Sequence, residues 1–513
     1  MTNTPLKHVV FVAGPWSSHV RSGIKFSARL VEKFQNTLVS IYIFEFFFPQ
    51  AEKYLATQSQ LARERIQLVR ASAEFPIATP LDIVLSVEKS FERWMDWQMN
   101  HGSIDINGVV VDPPICIMED HFNGGCALAC KDMHGLPVVS WWASNAAALV
   151  AHFGNPEHGH GGRLFDSIGV AIDLAEQEGK PKPIEEIFNH ELRRRVIYIP
   201  GLPPYYEHEQ VPQLSLPFLP LICQFQKRWN YQRDHMDMSI TSGTYEMEPI
   251  VAEACANAFT KPLRLFSVGP NLDLLPQKSG NNPSNTEDPT ISFLDRAYAE
   301  LGPHSVVYVS FGTIFFPLPE STDHLKTIIS EILAHGFRLV FTLSSDGAKT
   351  GGLDGDYIEE MTKGGNAIFP EWVDQLKVLD HPATSYFLTH GGWNSVAESL
   401  VRGVPMIFWP LAGDQPTNAL LVAGHHDCGH ELLQVRTGAA KSVAYARGTN
   451  MKIDGTDKAV REEIKMVLSG VKTGRGAQQR LNTRALGKIM VESIGKGGSG
   501  DVSLEQFGAA IGL

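Results

Sequence analysis

The chain has 513 residues, of which 43% are hydrophobic and 19% charged, with a formal net charge of −12 and a pI near 5.9. A chain of this length exceeds what one hydrophobic core normally supports, so we expect a globular protein of more than one domain. The acidic balance argues against a nucleic-acid partner, which would favour a basic surface.

Cysteine and hydropathy patterns narrow the class of protein further. The six cysteines are scattered without a CxxC pair, which disfavours a disulfide framework or a structural zinc site. The polar start MTNTPLK runs directly into a strand-like segment, and no apolar run has the length of a transmembrane helix. We therefore predict a cytoplasmic protein and expect a monomer. The histidine-rich segments 158–160 and 425–430 are better explained as polar loops than as metal sites.

Predicted strands and helices alternate through the first half of the chain. HVVFVA (8–13) is followed by the loop GPWSSHVRSG and by the helical pattern FSARLVEKF. Further elements follow in the same rhythm, namely strands at 39–48, 64–71, 106–114 and 135–142 and a helix at 79–99 that opens on Thr79-Pro80. Strands that alternate with helices predict a doubly wound parallel sheet.

A second α/β pattern follows a polar segment rich in Pro, Asn and Ser at 276–290, which is the best linker candidate. Its predicted elements are strands at 305–313, 337–343 and 385–390 and helices at 320–336, 456–470 and 475–493. The fold class that we predict is α/β, with two Rossmann-like domains facing each other across a cleft. The predicted domains are 1–275 and 291–493, joined by the linker at 276–290.

The most informative stretch is 372–415, where the predicted strand SYFLTH ends at Gly391-Gly392 and a helix begins near Asn394. Ligands of open α/β sheets bind at the carboxyl ends of strands, and the free amides of a helix start attract phosphate. The flat face of Trp372 suits a nucleotide base, and the carboxylate of Glu398 suits ribose hydroxyls. An ordinary strand-to-helix turn is the alternative explanation for the two glycines taken alone.

This stretch resembles the signature box of the family 1 UDP-dependent glycosyltransferases, particularly in its plant form. Other segments resemble the family more weakly and in the same order: HVVFVAGPWSSH, VVVDPP, IPGLPP and SVVYVSFGT. The resemblance implies the GT-B fold and a C-terminal segment, 494–513, that packs back on the N-terminal domain. The sequence departs from the plant box at Asp374, where Pro is usual, and at Gly391, where Cys is usual.

The resemblance also implies a donor site for a UDP-sugar, with no metal ion and no cofactor. Its residues would stack on uracil (Trp372, with Val373 and Gln375 nearby), hold the ribose (Glu398), hold the diphosphate (Thr313, His390, Gly392, Asn394, Ser395) and contact the sugar (Trp393, Asp414, Gln415). In the family, a final Gln accompanies glucose more often than galactose.

A second motif pairs His19, in the loop after the first strand, with Asp112, which we predict to end the strand INGVVVD at the same sheet edge. A carboxylate beside a histidine fixes its tautomer, and such a pair can take a proton from an acceptor hydroxyl. The family uses a His/Asp dyad at the matching positions. Asp120 is a rival partner. The loop SSHVRSG stands where the family often has GHxxP.

The predicted function is inverting transfer of a sugar, with glucose expected, from a UDP-sugar to a hydroxyl of a small lipophilic acceptor such as a phenolic. The product would be a β-glycoside. The alternatives are a sterol, other lipid or terpenoid acceptor, and a nucleotide-sugar-binding protein without transferase activity. A Rossmann dehydrogenase is disfavoured because GPWSSH lacks the GxGxxG pattern.

Aromatic residues in the least patterned segments suggest a flat apolar acceptor, although ordinary core positions would explain each of them equally well. These residues are Phe46, Phe47, Phe48, Trp94, Trp97, Trp141, Trp142, Tyr205 and Tyr206.

Overall fold

In a computed structural model the chain forms two compact α/β units. Unit 1 comprises Met1–Glu191, Leu216–Leu272 and Glu492–Leu513, and unit 2 comprises Leu192–Ser215 and Asp273–Val491. The structure describes residues 4–106, 108–161, 164–192, 195–213, 219–274, 288–345, 347–348, 353–445 and 450–513. Most of the predicted linker, up to residue 287, therefore lies outside the described residues.

Unit 1 is built on a sheet with the strands β1 Leu6–Val12, β2 Thr37–Phe44, β3 Ile66–Ala71, β4 Ile104–Ile106, β5 Val109–Asp120, β6 Val138–Trp142, β9 Met238–Thr241 and β10 Arg264–Ser267. The strand order is β10-β9-β6-β5-β1-β2-β3, with β4 antiparallel to β5 and the other pairs parallel. Strands β1 and β2 are mostly apolar and almost fully buried, as expected for a sheet covered on both faces.

Helices connect these strands and cover the sheet. The helix Pro80–Asn100 begins as predicted, because Thr79 accepts from the Asp82 amide and the Asp82 carboxylate accepts from the Thr79 amide. The predicted strand 39–48 instead ends at Phe44, since a helix with Pro49 in its first turn follows. The helices of unit 1 are Ser17–Lys33, Phe48–Leu55, Gln60–Arg65, Pro80–Asn100, Gly125–His134, Ala146–Phe153, Leu164–Gln177, Ile184–Glu191, Leu219–His235, Pro249–Ala254 and Ser499–Ala510, with single turns at Glu45–Phe47, His121–Asn123, Pro156–His158, Tyr245–Met247 and Cys255–Asn257.

The helix Ser499–Ala510 packs on unit 1 rather than on unit 2. Phe507 is fully buried, and its ring centroid lies 6.1 Å from that of Phe26 and 5.5 Å from that of Phe266. Lys33 and Asp501 form an ion pair of 2.8 Å between this helix and the first helix of the unit.

Unit 2 contains a six-stranded parallel sheet with the strands β11 Val306–Ser310, β12 Arg338–Thr342, β13 Ala367–Ile368, β14 Thr384–Thr389, β15 Met406–Phe408 and β16 Gly429–Glu431. The strand order is β13-β12-β11-β14-β15-β16. Two small antiparallel pairs are β7 Val196–Ile197 with β8 Tyr205–Tyr206, and β17 Val443–Ala444 with β18 Met451–Lys452. The chain passes from β11 to β12 on one side of β11 and later returns to β14 on its other side. A crevice therefore forms at the carboxyl ends of β11 and β14.

The α-helices of unit 2 are Pro289–Leu301, Thr322–Ala334, Gly355–Lys363, Gln375–Asp380, Trp393–Val401, Gln415–Ala419, Asp457–Val471 and Gly474–Ile494. Single 3-10 turns lie at Glu207–Gln210, Pro319–Ser321 and Gly438–Ala440, and a π-helical turn lies at Leu420–His425. Within the described residues, none of the chain's helices combines the length and the hydropathy that crossing a membrane requires.

The segment Leu192–Ser215 belongs to unit 2, whereas the sequence predicts it as part of the first domain. Polar contacts explain its placement. Buried Glu209 forms a 2.8 Å ion pair with buried Arg436, and His208 hydrogen-bonds the Val443 carbonyl. These contacts join residues far apart in sequence, so local patterning does not reveal them.

Candidate active site

The candidate site of unit 1 is a histidine–aspartate pair at the carboxyl edge of its sheet. His19 lies in the first turn of the helix that follows β1, and Asp120 is the last residue of β5. Because β1 and β5 are parallel neighbours, their carboxyl ends bring both residues together. His19 Nδ1 lies 2.6 Å from Asp120 Oδ2, with Asp120 fully buried and His19 partly exposed.

The prediction that Asp112 is the partner of His19 is wrong. Two prolines after Asp112 favoured a strand end there, but β5 continues through them with register shifts opposite β1. Asp112 therefore lies near the start of β5, about 26 Å from Asp120 along an extended strand at about 3.3 Å per residue. Its carboxylate accepts a hydrogen bond from Ser103 Oγ at 2.8 Å. Asp120, which the sequence predicted as the alternative partner, lies beside His19 instead of Asp112.

The environment of Asp120 keeps its carboxyl ionised. Burial acts to raise its pKa, but electrostatic interaction with the rings of His19 and His121, together with hydrogen bonds from His19 and the Phe122 amide, holds the pKa below its ordinary value. A Cβ added at Gly14 would lie 2.6 Å from this carboxyl group, so a glycine is required there for the close approach.

His121 is a member of this cluster that sequence reasoning missed. Its Nδ1 lies 3.4 Å from Asp120 Oδ1, and the side chain is buried. Burial lowers the pKa of His121 to about 3, against the opposing charge of Asp120, so the ring is neutral at pH 7. Its signal in the sequence is adjacency to Asp120, which becomes meaningful only once the end of β5 is known.

Aromatic rings surround His19 on the same edge. The ring centroids of Trp16 and Phe122 lie 5.8 and 5.7 Å from that of His19 and 4.3 Å from each other. The sequence analysis did not single out either residue.

Of the aromatic residues predicted to line the acceptor pocket, Trp142 packs on His121, with ring centroids 4.6 Å apart. Phe47, Phe48, Trp141 and Trp142 are buried, and Trp94 is partly buried against Tyr42 and Phe91. Phe46 and Trp97 are exposed, while Tyr205 and Tyr206 belong to unit 2.

A second candidate site lies in unit 2, where β11 and β14 end side by side. His390 follows β14, and its ring is held between two glycines. A Cβ at Gly312 would lie 2.9 Å from the ring, and a Cβ at Gly392 would lie 2.6 Å from its Nε2. Burial lowers the pKa of His390 to about 4, against the opposing charge of Asp414 and a backbone hydrogen bond at Ser310. A neutral imidazole therefore stands at this turn.

The helix Trp393–Val401 begins directly after the turn, with Gly392 as its N-cap residue. Asn394 and Ser395 lie half-buried in its first turn, and the Trp393 ring is buried. The first amides of a helix have no partner within the helix and carry partial positive charge. Such an N-terminus at a strand-end crevice is suited to an anion.

Glu398, on the same helix, is oriented by Gln375. Gln375 Nε2 donates to Glu398 Oε2 at 2.7 Å, while the Tyr308 hydroxyl donates to Gln375 Oε1 at 3.2 Å. Glu398 is buried, and Gln375 is fixed at the start of the helix Gln375–Asp380. The network gives one buried carboxylate a defined direction.

Trp372 and Val373 precede the helix Gln375–Asp380, and their side chains differ sharply in solvent exposure. The Trp372 side chain is 73% exposed, so a face of the indole is available to a ligand, whereas Val373 is buried. Thr313 is exposed in the turn after β11.

Asp414 and Gln415 begin the helix Gln415–Ala419. Gln415 Oε1 accepts from the amides of Leu411 and Ala412 at 2.8 and 3.1 Å, so the amide nitrogen of this buried side chain is the end that can donate elsewhere. Asp414 Oδ2 accepts from Asn418 Nδ2 at 2.8 Å. Both predicted sugar-contacting residues therefore have fixed orientations.

Three side chains among the described residues lie close enough together to hold one metal ion. They are His19, Asp120 and His121, whose ligand atoms lie within 4.8 Å of one another. Neither 158–160 nor 425–430 contributes a residue to this group.

The chain is also similar to known proteins. A family model described as UDP-glucoronosyl and UDP-glucosyl transferase matches residues 250–470. Anthocyanidin 3-O-glucosyltransferase 2 of Fragaria ananassa is 30% identical over 359 residues, covering 66% of this chain and 68% of that protein. UDP-glycosyltransferase eriJ of Hericium erinaceus is 30% identical over 284 residues, and the match spans 54% of each protein, about half of that relative's length.

The fold is also that of a solved structure. The crystal structure of a UGT transferase from Siraitia grosvenorii in complex with UDP matches with a TM-score of 0.70 at 19% identity, covering 98% of this chain and 99% of that one. At this level of identity the likeness establishes the fold, which is the predicted GT-B arrangement of two Rossmann-like domains.

Proposed function

Because the chain belongs to the family of UDP-glucoronosyl and UDP-glucosyl transferases, we propose that it transfers glucose from UDP-glucose to a hydroxyl of a small lipophilic acceptor. The observation that carries the proposal is the 2.6 Å contact between His19 Nδ1 and Asp120 Oδ2 at the edge of unit 1. A binding protein without activity would have no use for such an oriented base.

His19 is the general base in this reaction. When Nδ1–H donates to Asp120, the lone pair of the ring is on Nε2, and it can accept the proton of the acceptor hydroxyl. The acceptor oxygen then attacks the anomeric carbon from the face opposite UDP. One displacement of this kind inverts the anomeric centre, so an α-linked donor gives a β-glycoside. The Asp120 carboxylate stabilises the imidazolium that forms.

The donor is bound by unit 2. Trp372 stacks on uracil beside Val373, and Glu398, oriented by Gln375, accepts hydrogen bonds from the ribose hydroxyls. Trp393, Asp414 and the amide nitrogen of Gln415 contact the sugar. Since Gln415 Oε1 is already engaged by two backbone amides, this residue acts toward the sugar as a hydrogen-bond donor.

Departure of UDP needs stabilisation of negative charge on the diphosphate. The amides from Gly392 to Ser395, the hydroxyls of Ser395 and Thr313, and neutral His390 supply donors fixed in place before the reaction. The proposed mechanism uses no metal ion or cofactor for this step.

The acceptor is an aromatic or otherwise flat apolar molecule. Trp16 and Phe122, whose rings adjoin His19, give an apolar surface next to the base. A phenolic acceptor is favoured also by the name of the Fragaria ananassa relative, an anthocyanidin 3-O-glucosyltransferase. Terpenoid, sterol and other lipid acceptors are the second candidates, because the same rings would accept them.

The test is a panel of UDP-glucose, UDP-galactose and UDP-glucuronic acid against phenolic, terpenoid and sterol acceptors, with products identified by mass spectrometry. His19→Ala should lower turnover by about 100-fold or more, the usual contribution of a general base. UDP-glucose binding, measured by calorimetry, should stay within about 2-fold because His19 does not contact the donor in this mechanism. Turnover comparable with the wild type would disprove the role of His19. Donor binding without any product would favour a non-catalytic nucleotide-sugar-binding protein.

A further inference from the structure

Asp120 lies between two histidines rather than beside one. His19 Nδ1 approaches one carboxylate oxygen at 2.6 Å, and His121 Nδ1 approaches the other at 3.4 Å. Proton transfer from an acceptor requires only His19 and Asp120. We propose that His19, Asp120 and His121 form a zinc-binding site whose occupation inhibits the enzyme.

The chemistry of the three side chains suits Zn²⁺. Two imidazole nitrogens and one carboxylate, with an open fourth position for water, make up a common mononuclear zinc site. Ligand atoms about 2.05 Å from a tetrahedral zinc ion lie roughly 3.3 Å from one another. The three ligand atoms here are already within 4.8 Å of one another, so zinc binding requires the three side chains to shift by only about 1 Å.

His121 gives an independent sign that a ligand belongs here. Its side chain is more than nine-tenths buried, yet Nδ1 has no hydrogen-bond partner among the described residues. Nδ1 lies 3.4 Å from Asp120 Oδ1, so this unpartnered nitrogen faces the carboxylate that would share the ion.

Zinc at this site would block the base by changing its tautomer. In the free enzyme the His19 proton is on Nδ1, where it donates to Asp120. When Zn²⁺ takes the Nδ1 lone pair, that proton is lost from Nδ1 and the neutral ring carries its proton on Nε2 instead. Nε2 then has no lone pair for the acceptor proton, although the ring keeps the same number of protons. This inhibitory effect rests on the proposed function, whereas the binding site does not.

Binding is tested first, without an activity assay. The full-length protein, freed of metal by dialysis against a chelator, would be titrated with Zn²⁺ in competition with a chromophoric zinc indicator. We expect one site in the wild type. His121→Phe, which keeps an aromatic ring in the same packing, should weaken zinc binding at least about 10-fold, and so should Asp120→Asn. A thermal melt of each variant without zinc verifies that it is folded.

His152 provides the matched control. Its ring packs on Trp142 and Trp229 in the same aromatic region, with centroid distances of 5.3 and 5.7 Å, but it is not among the three ligands. His152→Ala should therefore bind zinc as the wild type does. Equal zinc affinity in His121→Phe and the wild type, or no tight site in the wild type, would overturn the proposal.

Activity provides the second measurement. Zinc should lower kcat with UDP-glucose in the wild type and in His152→Ala, chelator should restore it, and residual turnover of His121→Phe should be insensitive to zinc. Zinc binding in a protein that transfers no sugar would contradict the proposed function and leave the site intact. Transfer that tight zinc binding does not inhibit would refute the inhibitory effect.

Discussion

In the proposed mechanism, the charge of Asp120 matters most at the moment when His19 becomes an imidazolium. The carboxylate is fully buried, so water does not screen its 2.6 Å contact with the ring. The same contact selects the tautomer in which Nε2 is free to accept a proton. Both effects depend on a carboxylate and not merely on a polar side chain of the same shape.

Asp120→Asn should therefore lower kcat by about 100-fold or more, because the amide neither stabilises the imidazolium nor enforces the tautomer. Asp112→Asn is the matched control, since Asp112 lies at the other end of β5 and bonds Ser103. It should retain kcat within about 2-fold. Steady-state kinetics with UDP-glucose would compare the two variants. Equal losses in both would contradict the assignment of Asp120.

A second residue, His8, should make unit 1 sensitive to acid. Burial lowers the pKa of this β1 residue to about 4, with a hydrogen bond to the Asp112 backbone opposing, while Nε2 contacts Ser40 Oγ at 2.7 Å. In the unfolded chain the pKa returns to its ordinary value of 6.5. The unfolded state then binds the proton first, so stability is lost as pH falls from 6.5 toward 4.

His8→Val removes this titration while keeping an apolar side chain in the strand. Between pH 7 and 4.5 the wild type should lose about 2–3 kcal/mol more in free energy of unfolding than the variant. Chemical denaturation at the two pH values gives both differences, and any offset from the lost Ser40 contact cancels because it does not depend on pH. Parallel pH profiles would contradict the prediction.

Among the elements, the helix Ser499–Ala510 has the clearest energetic role. Phe507 fills a position between Phe26 and Phe266 in the core of unit 1. Phe507→Ala should cost about 3–5 kcal/mol, which corresponds to a lower melting temperature of unit 1 by roughly 10 °C. Differential scanning calorimetry of the full chain would measure the shift.

Val502, on the same helix and 41% exposed, is the control. Val502→Ala should change stability by no more than about 0.5 kcal/mol, since it removes little buried surface. A loss in Phe507→Ala no larger than that of Val502→Ala would mean that the helix does not contribute to the core.

Strand β5 illustrates how far an element can be predicted from sequence. Its apolar run VVV and its place in the sheet are predictable, but its length is not. Pro113 and Pro114 carry no amide hydrogen, which normally ends a strand, yet shifted pairing with β1 lets β5 continue to Asp120. Because this continuation depends on the neighbouring strand, local sequence patterning assigned the proposed catalytic carboxylate to the wrong end of β5.

The unit 2 turn shows the opposite case. The glycines beside His390, the helix that follows and the polar residues of the turn are all local to one stretch of sequence. Strand-end chemistry predicts such a site well because the ligand-binding groups and the strand are adjacent in the chain. The Gln375–Glu398 contact is local to that stretch, and only its partner Tyr308 required the structure.

For the whole molecule, the two sheets repeat one design. In each, residues of the proposed mechanism lie at the carboxyl ends of two neighbouring strands where the strand order reverses: β1 and β5 in unit 1, and β11 and β14 in unit 2. His19 and Asp120 occupy the first of these positions, and Gly312 and His390 occupy the second. The two-domain α/β architecture was predictable because this rhythm of strands and helices is present along the whole sequence, whereas the transfer of Leu192–Ser215 to unit 2 depends on distant contacts.

The helix that packs on Phe26 has a consequence for biosynthesis. Most of unit 1, with the unit 2 segment Leu192–Ser215 inside it, is synthesised first, then Asp273–Val491 of unit 2, and only afterwards the helix with Phe507. Domains that are synthesised first usually fold first, but unit 1 cannot complete its core until the helix Ser499–Ala510 has been synthesised. Until that helix arrives, the apolar surface around Phe26 and Phe266 is uncovered. The nascent chain must therefore protect this surface from aggregation while the second unit is being translated.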